Sequence, residues 1–555
     1  MVKKRFSSLN RQQLVDTLTN EKHDVLIIGG GITGAGIALD AVTRGMKAAL
    51  VEMQDFAAGT SSRSTKLVHG GLRYLKNLEF KIVKETGRER AIVYENGPHV
   101  TTPEWMLLPF YKDGTFGYFT TSIGLWLYDR LAGVKQSERR EMLSVEETLK
   151  KEPLLKREGL QGGGFYVEYK TDDARLTIEV LKKAVEKGAL ALNYVKVTDL
   201  IFDENRQVIG AKVRDVLTGN EYETFAGKIV NATGPWVEEV RDFDYSRYSK
   251  KLHLSKGIHI VFDQSVFPLQ QAIYFDTPDG RMVFAIPRDG KTYVGTTETV
   301  FTADKAHPKM TVADRDYLLK AVRFMFPDVK VTEDDVESSW AGIRPLIYEE
   351  GKDPSEISRK DEIWIGDSGL VTIAGGKLTG YRKMAEDVVD LLARQFQEEF
   401  GRTFPSCQTK HMPISGGDFG GSENLLPFIE EKEQEATAYG LTKEEGRVLA
   451  RRYGTNVDQV FEFAKEVENH DSVLPPFVYA QYRYALEEEM ITKPIDFFIR
   501  RTGALFFDIE WVRQWQDPVI DQMAKDLDWT EEEKSMYKTE LEIELRDAVT
   551  PVEKE

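Results

Sequence analysis

The sequence predicts an α/β protein with a Rossmann-like unit near its N-terminus, a strand-rich middle and an all-α C-terminal region. Three observations carry this expectation. Asp24 to Glu52 runs as strand, glycine turn, helix and second strand. Residues 251–346 read mostly as strands with short polar turns. Glu423 to Ala548 repeats apolar residues with the period of several amphipathic helices. At 555 residues the chain has room for two or three domains with substantial cores.

In the first stretch Val25 to Ile28 form a short apolar run that stops at Gly29-Gly30-Gly31, and Gly34 falls where a helix opens. This is G-x-G-x-x-G between a strand and a helix, the context in which the motif binds a dinucleotide. Gly29 permits the tight turn, Gly31 lets backbone approach a pyrophosphate, and Gly34 allows close helix–strand packing. Free N–H groups at the helix start favour the phosphates. Ala48 to Val51 lead to Glu52, where a carboxylate can accept from ribose hydroxyls; an Arg there would suggest a 2′-phosphate. The motif alone leaves open a ligand-free βα turn, and NAD as well as FAD.

Composition narrows the classes. A net charge of −17 argues against a general nucleic-acid binder. With one cysteine, Cys407, there is no internal disulfide framework, cysteine zinc site or iron–sulfur cluster, and a reducing compartment is expected. Met1 to Glu21 lacks the apolar core of a secretory signal, and no run of 18 apolar residues occurs. Phe116 to Leu131, rich in aromatics and followed by Lys135, Arg139 and Arg140, suits either a membrane interface or an amphipathic helix packed on its own domain.

Beyond Glu52, Gly59 to Leu75 is dense in hydroxyls, glycines and basic groups, a mixture suited to phosphates or a polar ring edge. His69, Arg73 and Tyr74 lie close enough to converge on one small anion. Lys81 to Tyr94 reads as a helix, and Pro98, Pro103 and Pro109 then break the chain into loops and short extended pieces. Asp172 is the natural N-cap of a helix bearing Leu176, Val180, Leu181 and Val185. Leu190 to Val197 and Val208 to Val213 read as strands, as does Lys228 to Val230 before the small residues Ala232, Thr233 and Gly234. Ile363 to Ile365 and Leu370 to Ile373 suggest a hairpin, and Gly375-Gly376-Lys377-Leu378-Thr379-Gly380 opens a second glycine-to-helix junction with positive potential. Pro405 to Gly421 reads as a linker. In the helical tail, Glu487-Glu488-Glu489 and Arg500-Arg501 are expected to be solvated or interdomain charges. The three glycine or small-residue junctions together suggest one extended cofactor gripped at several points, which fits FAD better than an exchangeable NAD.

The ordered set GGGITGAG (29–36), SSRSTKLVHGGLRYL (61–75), TDDARL (171–176), NATGPW (231–236), GTT (295–297), WAGIRPL (340–346) and GGKLTGYR (375–382) closely resembles FAD-dependent glycerol-3-phosphate dehydrogenases, from about Asp24 to Met384. The resemblance implies a glutathione-reductase-type FAD domain (1–80, 165–240, 360–400) interleaved with an antiparallel substrate domain (81–164, 241–359), and a helical cap domain (405–555). It implies non-covalent FAD and no metal. Oxidation of sn-glycerol 3-phosphate would pass electrons to membrane quinone from a cytoplasmic, peripherally membrane-associated enzyme, with a homodimer as one expected state. Cofactor contacts are expected from Gly29, Gly31, Gly34, Glu52, Thr60, Ser61, Ser62, Ser64, Val195, Ala232, Gly234, Gly376, Lys377, Leu378 and Thr379.

For that chemistry the protein must fix a phosphate, hold C2, supply a base and stabilise charge on the flavin. Arg73 and Arg344 are the expected phosphate forks, with Tyr74 and Thr297 donating hydroxyl hydrogen bonds. His69 is the expected base, or a simple hydrogen-bonding group, with His259 as second candidate. Lys377 is expected to favour the reduced flavin. Competing readings are a glycerophosphate oxidase that hands electrons to oxygen, an amine or amino-acid oxidase, and a non-catalytic escort protein on a FAD-type fold. The oxidase branch carries an insertion that this chain is too short to hold, which favours the dehydrogenase.

Overall fold

The computed structural model describes residues 6–68, 80–112, 114, 139–246, 250–349, 360–467 and 472–555. Two sheets organise it. The first runs Glu362–Ile365, Val371–Ala374, Glu221–Asn231, His23–Ile28, Ala48–Val51, Leu190–Leu192 in spatial order. All neighbours are parallel except the edge strand Glu362–Ile365, which makes the expected hairpin with Val371–Ala374. Val25, Leu26 and Ile27 are wholly buried because helices cover both faces of such a sheet. The helices Ile32–Thr43, Asp173–Glu186 and Tyr381–Phe400 supply that cover. Asp172 caps the second of them by accepting from the Arg175 amide, as expected.

The second sheet is largely antiparallel and runs from Thr299–Val300 through Lys250–Asp263, Lys291–Gly295, Met282–Arg288, Ala272–Asp276, Thr101–Tyr111 and Leu160–Thr171 to Leu67–Val68; Ser338–Glu349 also pairs along Lys250–Asp263. One face packs on the helix Val312–Met325 and the other on C-terminal helices, whose Phe497, Phe506 and Val519 join Tyr293 and Trp340 in one core. The C-terminal region is helical, as expected, from Leu425–Glu435 to Glu531–Val549. Capping boxes start two of its described helices, Thr442 with Glu445 and Thr530 with Glu533. No helix of the described residues is long and apolar enough to cross a membrane.

Four expectations need correction. Leu190 to Val197 is two strands, split where Tyr194 takes a left-handed φ of 53°, and the second half leaves the parallel sheet for a hairpin with Val208–Asp215. Thr101–Tyr111 is a full strand despite Pro103 and Pro109. On its second edge only Met106 and Leu107 pair, so the missing proline N–H groups leave the ladder intact. Helix Val312–Met325 lies in the stretch read as strands. The boundary expected at 164/165 falls inside the strand Leu160–Thr171. The Phe116 to Leu131 segment lies outside the described residues.

Candidate functional site

A cavity of about 1340 Å³ lies between the carboxyl ends of the parallel strands and one side of the second sheet. That position is where open α/β sheets bind ligands. Its volume exceeds the roughly 300–1,000 Å³ of a single small-molecule pocket, leaving room for an extended cofactor and a small substrate together.

At the dinucleotide end, Gly29 adopts φ 114°, and a Cβ there would stand 2.6 Å from the Ala232 carbonyl oxygen. A Cβ on Gly34 would overlap the Gly29 carbonyl oxygen, so Gly34 serves helix packing and is absent from the cavity wall. Gly31 precedes the helix Ile32–Thr43 on the wall, and Ser61 beside it accepts the Ile32 amide through its hydroxyl at 3.0 Å. Glu52 lines the cavity with one carboxylate oxygen accepting from the Gly30 amide (2.6 Å) and the other from the Gln54 amide (2.8 Å). Burial pushes this carboxyl above its ordinary pKa, and the two amides oppose the shift. Val195 joins the wall and donates its amide to the Glu52 carbonyl at 2.7 Å.

The hydroxyl-rich stretch divides its work differently from the expectation. Thr60 and Ser64 line the cavity, but Thr60 donates to the Ile343 carbonyl (2.7 Å) and Ser64 to the Asp173 carboxylate (2.7 Å), which also pairs with the Lys66 ammonium. These bonds tie the hydroxyl-rich stretch to the strand Ser338–Glu349 and to the start of the helix Asp173–Glu186. Ser62 is buried and off the cavity wall. Ala232, Gly234, Gly376, Lys377, Leu378 and Thr379 all reach the wall. Gly375 and Gly376 have φ of 73° and 81°, and a Cβ on Gly376 would stand 2.5 Å from the Met384 sulfur. The turn that follows, Leu378–Gly380, leads into Tyr381–Phe400, so that helix begins one turn beyond the cavity-lining Leu378 and Thr379. The glycine cradle, the acid in register and the second glycine junction fit a bound FAD.

At the other end Arg344 donates to the Thr296 hydroxyl (3.1 Å) and the Thr297 carbonyl (3.4 Å). Thr297 lines the cavity, and its hydroxyl accepts the Ile258 amide at 3.1 Å, which leaves its own proton to donate; the Thr296 hydroxyl accepts from Arg344 and donates to the Thr297 carbonyl at 3.1 Å. Thr296 is the residue the sequence reading passed over, although it sits in the same Gly295-Thr296-Thr297 turn. His259 stacks on Trp340 with ring centroids 4.8 Å apart and shares a 3.0 Å hydrogen bond with the Thr65 hydroxyl. Burial, with Arg344 and Lys66 nearby, pushes its pKa well below 6.5, so it stands in the cavity as neutral imidazole and is a poor candidate base. His69, Arg73 and Tyr74 lie outside the described residues. No group of three or more metal-ligating side chains is found among the described residues.

The "FAD dependent oxidoreductase" family model matches residues 24–382, and the model described as "C-terminal domain of alpha-glycerophosphate oxidase" matches residues 407–534. The aerobic glycerol-3-phosphate dehydrogenase of Bacillus subtilis (strain 168) is 61% identical over 555 residues, covering the whole of both chains. That of Staphylococcus aureus (strain USA300) is 60% identical over 544 residues, 98% of each. Among solved structures, the glycerol-3-phosphate dehydrogenase from Bacillus halodurans complexed with FAD matches with a TM-score of 0.86 and 49% identity over 98% of this chain and 99% of that one. L-alpha-glycerophosphate oxidase from Mycoplasma pneumoniae, 19% identical with a TM-score of 0.55 over 70% of this chain and 97% of that one, shares the fold.

Proposed function

The chain belongs to the FAD-dependent oxidoreductase family, and from that premise we propose that it oxidises sn-glycerol 3-phosphate to dihydroxyacetone phosphate and passes the electrons to a membrane quinone. The observation that carries the substrate is the Arg344–Thr296 pair, standing in the same cavity as the glycine cradle. A guanidinium fork matches two phosphate oxygens, and the neighbouring Thr297 hydroxyl, which only accepts from the Ile258 amide, has a proton to add a third bond. When bound, FAD supplies the acceptor for the hydride leaving C2.

The protein's own groups do the rest. Arg344 and Thr297 hold the phosphate, joined by Arg73 and Tyr74 from the HGGLRYL stretch. His69 takes the proton from the C2 hydroxyl, and His259, whose basicity is lowered by burial beside Arg344 and Lys66, is the second candidate. Lys377 and the helix start behind it put positive potential on the wall where negative charge gathers during oxidation. Quinone as acceptor and a peripheral place on the cytoplasmic face of the membrane rest on the aromatic and basic composition of 116–140 and on the family resemblance.

The test is anaerobic mixing with glycerol 3-phosphate, which should bleach the flavin absorbance. The reduced protein is then mixed separately with oxygen and with a quinone analogue. Fast recovery with the quinone analogue and slow recovery with oxygen are expected. Flavin that stays oxidised in glycerol 3-phosphate would overturn the substrate, and fast peroxide production would overturn the acceptor.

A further inference from the structure

Asp55 lies three residues beyond Glu52 and is wholly buried, with both carboxylate oxygens engaged by the C-terminal domain. Arg501 grips it bidentately, Nη1 to Oδ2 at 2.7 Å and Nη2 to Oδ1 at 2.9 Å, and Arg500 adds Nε to Oδ2 at 2.5 Å. The two arginines are consecutive. They reach one carboxylate because Asp496–Arg501 is a π-helix, whose wider turn swings successive side chains through a smaller angle than an α-turn. Arg500 also donates to Asp496 (2.7 Å), so two acids and two guanidinia balance inside the interface.

The same contact fastens the neighbouring turn. Asn193 donates to Asp55 (3.0 Å) and to the Met490 carbonyl (2.9 Å), and the Tyr194 hydroxyl donates to Asp496 (2.7 Å). On the cavity side that turn is sewn to the ribose loop by Tyr194 N to Gln54 O at 2.9 Å and Val195 N to Glu52 O at 2.7 Å. Glu52, Gln54 and Val195 form the wall; Asp55, Asn193 and Tyr194 form its back. Burial opposes the charge on Asp55, and Arg501 and Arg500 overcome that opposition, holding the carboxyl down at about 2.

We infer that the Asp55–Arg500–Arg501 contact is a positioning device for the adenosine half of the cofactor, through which the helical C-terminal domain sets how tightly the dinucleotide is held. A loop that presents a carboxylate to a ribose keeps its affinity only if its shape is fixed from behind, because each contact depends on supporting groups that hold it in place. Here the support comes from another domain. The inference rests on FAD as the cofactor and is independent of the substrate.

The test uses full-length Arg501→Met, Asp55→Asn and Arg501→Lys, each stripped of flavin and titrated with FAD, ADP and FMN, with circular dichroism to confirm the fold. Arg501→Met and Asp55→Asn are expected to weaken FAD and ADP by the same factor, tenfold or more, while FMN binding stays at the wild-type value. Arg501→Lys keeps the charge but cannot grip both oxygens, and falls between; it carries the test if the others do not fold. Unchanged FAD and ADP affinity in a folded variant would overturn the inference, and so would equal weakening of ADP and FMN, which marks general loosening. Wild-type protein that binds no FAD would overturn the cofactor reading, and this inference with it.

Discussion

Arg344 meets the hydroxyl of Thr296 at 3.1 Å, and Gly257 makes the space for it: a Cβ there would stand 2.6 Å from Nη2 of Arg344. Gly257→Ala should therefore push the fork aside and raise the dissociation constant for glycerol 3-phosphate about tenfold or more, with flavin content unchanged. Arg344→Met removes the charge-assisted contact and should cost about 2–5 kcal/mol of substrate binding. Spectral titration of the oxidised flavin checks both, and unaltered affinity in Arg344→Met would remove that residue from the phosphate site.

The imidazole of His259 is held neutral by burial and by Arg344 and Lys66. A group whose pKa is depressed so far cannot give rise to an acid limb near neutrality. The limb of kcat/KM is expected to persist in His259→Asn and to vanish in His69→Asn, where turnover should fall far more than binding of a substrate analogue. Loss of the limb in His259→Asn would exchange the two roles.

Both carboxylate oxygens of Glu52 accept backbone amides, from Gly30 and Gln54. In Glu52→Gln one of those amides must face an N–H donor. Leaving such a buried group unsatisfied costs about 1–3 kcal/mol, so flavin should be lost on dialysis at least tenfold more readily. The flavin-to-protein ratio measures this, and a ratio equal to wild type would free Glu52 from the cofactor site.

Asp55 has a folded pKa of about 2, below the ordinary carboxylate value, despite its burial, because Arg501 and Arg500 hold its charge. A depressed acid contributes stability that is present above its unfolded pKa and is lost as pH falls towards the folded value. The contribution is about 2 kcal/mol at neutral pH, declining from about pH 5 towards pH 2. Urea midpoints across that range should fall less steeply with acid in Asp55→Asn than in wild type. Parallel curves would mean that this pair does not govern acid stability.

Much of the cofactor end was legible because its chemistry is local. Gly29, Gly31, Gly34 and Glu52 fall within one strand–helix–strand unit, and their spacing alone places three of them on the cavity wall and the fourth behind it. Helix Val312–Met325 was also legible in principle, since Thr311 and Asp314 form a capping box ahead of Leu318, Leu319 and Val322. What the sequence hid was long-range pairing. Arg501 and Glu489 read as solvated or interdomain charges, and the sequence does not say which partners they meet: Asp55, 446 positions earlier, and Arg175, 314 positions away. Thr60 and Ser64 line the cavity, but their hydroxyls are committed to partners that only the assembled fold provides.

The parallel sheet that holds the glycine cradle takes strands from His23–Ile28 and from Val371–Ala374, and the loop beside Glu52 waits for Arg500 and Arg501. A ribosome making this chain releases Asp55 hundreds of residues before the guanidinia that neutralise it. The nucleotide unit is thus completed by distant parts of the chain: Val371–Ala374 extends its sheet, and Arg500 and Arg501 neutralise its carboxylate. A chain cut before the C-terminal helices would keep the glycine fingerprint and lose both guanidinia behind Asp55.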